Sequence, residues 1–183
     1  MNNKNNTHTY TNEDIEVVYN LVNYYQKIPN YTTIKTLPEE NAQYIKEALP
    51  TVIDCASMLK SCRALTTVDT TGWDTIKVTS MYSMFDGCSA LTSLDISNWN
   101  TSKVKYFGLM FNSPNLTTIK GVIDMKSADK TFWNTDAVDL SKRDTNQRMF
   151  EKCTKLRGVK IKNPPADFET YSGLNSSQYT IVS

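Results

Sequence analysis

Acid–base or nucleophilic chemistry would have to begin at His8, the only histidine of the chain. It lies in a polar stretch, Met1 to Asn12, with no pattern that would fix it against a serine or cysteine. A nucleophile and its base must be held within hydrogen-bond reach by rigid structure, so His8 predicts no catalytic dyad. The 6 glycines are scattered and form no phosphate-cradling loop. Asp69, Asp74 and Asp95 recur at repeat positions, which a turn or strand-surface role explains without proton transfer. The residues therefore predict no catalytic group and no cofactor.

Metal binding has no better footing. Zinc sites use close pairs such as Cys-x-x-Cys, and Cys55, Cys62, Cys88 and Cys153 are not so spaced. Cys62, Cys88 and Cys153 share a repeat slot, where buried cysteine serves as a small apolar filler. With no export signal in view, reduced thiols are the expectation; a Cys62–Cys88 disulfide is conceivable and not favoured.

The elements that carry these residues follow from a repeat. Val52, Cys55, Met58, Leu59, Cys62, Leu65 and Val68 recur 26 residues later as Val78, Met81, Met84, Phe85, Cys88, Leu91 and Leu94. A third copy starts in register at Val104, Phe107, Met110 and Phe111, then departs, with Pro114 in the cysteine slot before Leu116 and Ile119. A fourth reads Met149, Phe150, Cys153, Leu156, Val159 and Ile161. Trp73, Trp99 and Trp133 each precede Asp/Asn-Thr-x-x-Val, which places an insertion at about 120–148. The spacing of Val104, Phe107, Met110 and Phe111 predicts one face of a short helix. Asp74-Thr75 and Asn100-Thr101 are suited to cap it. Leu91-x-x-Leu94-x-Ile96 predicts a short strand.

The run Val-x-x-Met-x-x-Met-Phe-x-Gly-Cys-x-x-Leu-x-x-Leu-Asp-Ile-Ser-Asn-Trp-Asn-Thr-Ser-Lys-Val, from Val78 to Val104, resembles the BspA-like leucine-rich repeats of bacterial surface proteins. The resemblance extends over roughly Val52 to Ile161. It implies an α/β leucine-rich-repeat solenoid of about four helix–turn–strand coils with a short parallel sheet. It also implies a non-catalytic surface or adhesion module; similar repeats occur in phage and tail-like particle proteins.

The expected organisation is a flexible polar tail over 1–12, a helical N-terminal cap over 13–50, repeats over 51–162 and an irregular C-terminal cap over 163–183. In the N-terminal cap, Ile15, Val18, Leu21, Val22 and Tyr25 mark one helix, ended by Pro29. A second begins at Pro38 and turns Tyr44, Ile45, Ala48 and Leu49 inward. At the other end Asn163-Pro164-Pro165 breaks the last strand, and Phe168, Tyr171, Leu174, Tyr179, Ile181 and Val182 cover the final coil.

Lys plus Arg (20) nearly balances Asp plus Glu (19), so no global field draws in nucleic acid or anionic lipid. No apolar run is long enough to span a membrane. With no signal peptide read at Met1, the expected location is on a virion or tail-like particle, otherwise the cytoplasm. Recognition would then fall to the outward strand positions Thr67 and Asp69, Ser93 and Asp95, Thr118 and Lys120, and Gly158 and Lys160. This small, hydroxylated row runs from acidic to basic and suits a glycan or protein ligand, or equally a soluble strand face rich in β-prone threonine. Trp73, Trp99 and Trp133 read either as an aromatic strip that stacks on sugar rings or as packing between coils. Neighbouring subunits of a larger assembly are the other expected partners.

Overall fold

The computed structural model describes residues 31–129 and 148–183. After a short 3-10 turn at Tyr31–Thr33 comes α1, Glu39–Ala48. Pro38 sits at its N-cap, Glu39 and Glu40 fill the first turn and Lys46 the last, the charge order that a helix dipole favours. Ile45 and Leu49 are fully buried, as expected, but Tyr44 is 42% exposed and Asn41 is buried in its place. The segment before α1 covers the first repeat: Ala64 and Thr66 donate their amides to the carbonyls of Thr32 and Lys35. The other expected N-terminal helix, Ile15 to Tyr25, lies outside the described residues, as does His8.

Among the described residues the repeats contain no helix. Their Met-Phe segments run as a ladder of tight turns in which alternate amides take two kinds of partner. Met84, Asp86 and Cys88 donate to Met81, Ser83 and Phe85 three residues back. Met81, Ser83, Phe85 and Gly87 donate sideways to Tyr106, Gly108, Met110 and Asn112 of the next copy. Cys55, Ser57, Leu59 and Ser61 do the same toward Ser80, Tyr82, Met84 and Asp86. This path requires a left-handed residue in every copy: Ser57 (φ 60°), Ser83 (54°), Leu109 (57°) and Arg148 (59°). A left-handed residue cannot continue an α-helix. Spacings of three and four thus arise here from stacked turns, each of which brings one apolar side chain inward.

Among the described residues, five short strands follow the turns. β1 (Ser93–Asp95) pairs in parallel with β2 (Thr118–Lys120), and β3 (Val122–Asp124), β4 (Val159–Lys162) and β5 (Tyr179–Val182) form a second parallel sheet in that order. The break between the sheets is at Gly121. Its φ is +102°, and a Cβ there would lie 2.8 Å from the backbone of Ile96 and Ser97. Only glycine allows that approach. Beyond it the register slips, so that Lys160 stands opposite Val122 rather than Lys120. The first copy has no strand, only an isolated bridge from Asp54 to Ser80.

Two assignments in the third copy change as a result. Ser113, not Pro114, fills the cysteine slot: its hydroxyl donates to the Phe85 carbonyl (2.8 Å), as the Cys88 thiol does to Leu59 (3.1 Å) and the Cys153 thiol to Phe111 (2.6 Å). The tryptophan frame, in turn, is continued by Ile123-Asp124-Met125. Asp124 N–H and C=O bond the Thr101 hydroxyl just as those of Asn100 bond the Thr75 hydroxyl. Asp129 then donates to Lys105 as Lys105 does to Thr79. The pattern therefore runs unbroken to Asp129, and the surplus over the period falls after it. Trp133 and Val138 lie outside the described residues.

The C-terminal stretch is not irregular. α2 (Phe168–Ser172) and β5 provide a further row, with Arg148 and Phe150 donating to Tyr171 and Ser172, and Val159 to Gln178. These findings correct the expected architecture. The protein is a small α/β fold with two short parallel sheets and two α-helices among the described residues. It is not a leucine-rich-repeat solenoid of helix–turn–strand coils, because the turns replace the helices and Gly121 divides the sheet. One apolar core nevertheless runs from Ile45 and Leu49 through the repeat residues to Phe168 and Leu174.

Candidate binding face

The outward positions of β1 and β2 form the most regular polar surface. Alternation along each strand buries Leu94 and Ile119 and exposes their neighbours. Parallel register then sets Ser93 beside Thr118 and Asp95 beside Lys120. Lys120 Nζ stands 3.8 Å from Asp95 Oδ2, with both side chains more than half exposed. Such an exposed pair adds little to stability, so both charges stay available to a ligand.

Asp95 is positioned by its own backbone. Its Oδ1 accepts the Ser97 amide at 3.0 Å. Hydrogen bonding from the Ser97 side chain, then from that amide, with help from Lys120, holds the carboxyl below the usual range. Asp69 repeats the arrangement in the first copy, its Oδ1 accepting the Thr71 amide at 2.9 Å, again with a lowered pKa. Thr67 and Asp69 are exposed but lie outside any strand. The two copies are joined by the Thr70 hydroxyl, which donates to the Asp95 carbonyl, and by Asn98 Nδ2, which donates to Thr70 at 2.9 Å.

The remaining members of the expected row do not continue it. Gly158 is exposed, and Lys160 belongs to the second sheet, flanked by Val122 and Thr180. Trp73 and Trp99 form no outward strip either. Trp73 and Trp99 are 2% and 7% exposed and stack on each other at 5.8 Å. The stack passes inward from Trp99 to Phe85 (6.3 Å), Phe111 (6.3 Å) and Phe150 (5.3 Å), so these rings are core.

The four thiols are free and buried. Burial raises the thiols of Cys62 and Cys153 to about 11 and those of Cys55 and Cys88 further. A thiol kept neutral in this way is no nucleophile. Among the described residues no group of three His, Cys, Asp or Glu side chains gathers to hold a metal, and no helix is long and apolar enough to cross a membrane.

Reasoning from sequence missed the amide side chains that join the copies. Asn112 Nδ2 donates to Asp86 (2.8 Å) while its Oδ1 accepts the Lys152 amide (3.0 Å). Asn115 Nδ2 donates to Ser89 (2.8 Å), and buried Gln178 donates to both Cys153 (3.1 Å) and Leu156 (2.9 Å). The available signal was confined to the third copy, where Asn112 and Asn115 follow Met110-Phe111.

No curated protein and no solved structure matches the chain. Residues 48–163 match the family described as "Mycoplasma protein of unknown function, DUF285". That span takes in all four copies and well over half of the sequence, and the chain belongs to this family.

Proposed function

We propose that the protein is a non-enzymatic binding module, borne on a virion or tail-like particle, that contacts a glycan or protein of a host surface. The observation that carries this reading is the β1–β2 face, where Ser93, Thr118, Asp95 and Lys120 stand side by side and open to solvent. Hydroxyls, a carboxylate and an ammonium on a rigid, shallow sheet suit recognition through many hydrogen bonds rather than a deep pocket. The resemblance of Val78–Val104 to BspA-like repeats, whose bearers are surface and adhesion proteins, supports the same reading.

The test is a glycan array and host-cell binding assay on the full chain and on an Asp95→Ala/Lys120→Ala double variant. Binding by the parent chain that falls at least tenfold in the variant is expected. Equal binding by the two removes the face from the reading, and absence of the protein from purified particles removes the particle.

A second reading, a joining subunit of such a particle, has its own observation. β5 is an edge strand with no charged residue, and Ile181, level with core residue Ile161, is 61% exposed. Natural edges are commonly guarded by charge or proline. If Ile181→Lys prevents incorporation into particles while the Asp95 variant attaches normally, the joining role replaces recognition.

A further inference from the structure

Where the second sheet meets the third copy, an open hollow of about 370 Å³ is lined by Trp99, Asn100, Val122, Asp124, Lys162 and Val182, among others. Small-molecule sites begin at roughly 300 Å³, so the hollow has room for one ring and not for a chain of them. Its chemistry is set by register. Asp124, Lys162 and Val182 are partners across β3, β4 and β5, and Val122 precedes Asp124 on the same face.

Asp124 is built into place. The Thr101 hydroxyl binds its backbone on both sides, at 2.7 and 3.1 Å. Its Oδ1 takes the Lys126 amide (3.0 Å) and Asn163 Nδ2 (2.8 Å), and no hydrogen bond among the described residues falls on Oδ2. Lys162 has no ion-pair partner among the described residues, although it stands opposite Asp124. The wall residue Trp99 is 93% buried by its 7% exposure, yet its indole Nε1 has no hydrogen-bond partner among the described residues. A buried donor left unpaired is costly.

We infer that this hollow is a subsite for one neutral pyranose unit of a glycan. The inference rests on the binding-module reading and names its ligand class. The lining offers a carboxylate oxygen to accept, an ammonium and the Asn100 amide to donate, and two valines to meet an apolar ring face. A sugar matches that set, because its hydroxyls donate and accept at once while its C–H face is apolar. The charges of Asp124 and Lys162 cancel, which selects no ion. The subsite is separate from the β1–β2 face and contains only Trp99 of the residues expected from sequence to bind.

The experiment is an NMR amide-shift titration of the full chain with the methyl α-glycosides of glucose, galactose and mannose, using glycerol as control. At least one glycoside should shift the amides of Val122, Asp124 and Lys162 with a millimolar Kd. Asp124→Asn and Asn100→Ala should each weaken it at least fivefold, and Gln43→Ala, exposed on α1 and outside both faces, should leave it unchanged. No shift with any of the three, or equal shifts with glycerol, overturns the inference. The broader reading then stands or falls separately, on whether Asp95→Ala/Lys120→Ala abolishes binding to host cells.

Discussion

Gly121 and Gly158 both adopt positive φ, and they predict opposite tolerance of a methyl group. A Cβ at Gly121 would lie 2.8 Å from the backbone of Ile96 and Ser97, whereas one at Gly158 meets nothing within 4 Å. Gly158→Ala should cost about 1 kcal/mol for left-handed geometry alone. Gly121→Ala adds a backbone collision and should cost at least about 3 kcal/mol, as read by urea denaturation. Equal costs would mean that Gly121 does not set the sheet break. The buried thiols make a pH prediction. Cys62 and Cys153 have folded pKa values near 11 against an ordinary value of 9.0. A folded pKa above the unfolded one stabilises the fold fully below pH 9, and that contribution is lost as pH rises from 9 toward 11. Denaturant midpoints should therefore fall across that window, and the four thiols should resist a thiol reagent at pH 8 until the chain is unfolded. Rapid labelling of native protein would contradict their burial.

At the level of elements, the copies are held to one another by backbone amides and by a few side chains that finish the ladder. Thr75 is the clearest case. Its buried hydroxyl donates to the Asn100 carbonyl at 3.1 Å and accepts the Asn100 amide at 2.8 Å. Thr75→Val keeps the shape and removes both bonds, leaving an amide and a carbonyl unpaired, so about 2–3 kcal/mol should be lost. Thr66→Val, at an exposed hydroxyl bound only to Lys35, should stay within about 1 kcal/mol. Thermal or urea melts of the two variants decide it; similar losses would show that Thr75 does not couple the copies. The same logic explains why the helix expectation failed. Apolar spacing reports which side chains face inward, and it does not distinguish an α-helix from stacked turns that bury the same residues. The deciding feature is the left-handed Ser57, Ser83, Leu109 and Arg148. None of these residues is a glycine that would announce such a conformation in the sequence.

At the level of the molecule, the single core joins α1, the four copies and the C-terminal row. Such continuity predicts one cooperative transition, with tryptophan fluorescence and far-ultraviolet circular dichroism superimposing on denaturation. Separate transitions would mean that the two sheets unfold independently. Phe111 stacks between Phe85 and Phe150 within the aromatic column and is fully buried. Phe111→Ala should cost about 3–5 kcal/mol and lower both signals together. The uncovered strand β5 marks the other end of this core, where Ile181→Lys should leave the midpoint within about 0.5 kcal/mol.

By itself the sequence determined which residues are interior, because a 26-residue period in apolar positions leaves little freedom over what must be buried. Nearly every repeat residue it marked, from Val52 to Ile161, lies in the core. It also placed Ser93, Asp95, Thr118 and Lys120 on one exposed face, since strand alternation is a local property. Only the tertiary structure decided the path between those residues, the break at Gly121 and the transfer of Lys160 to a second sheet. The tryptophan frame passed to Ile123 on the same footing. Each of these depends on which backbone groups of one copy meet those of the next, and hydrogen-bond register between distant segments leaves no mark in side-chain periodicity.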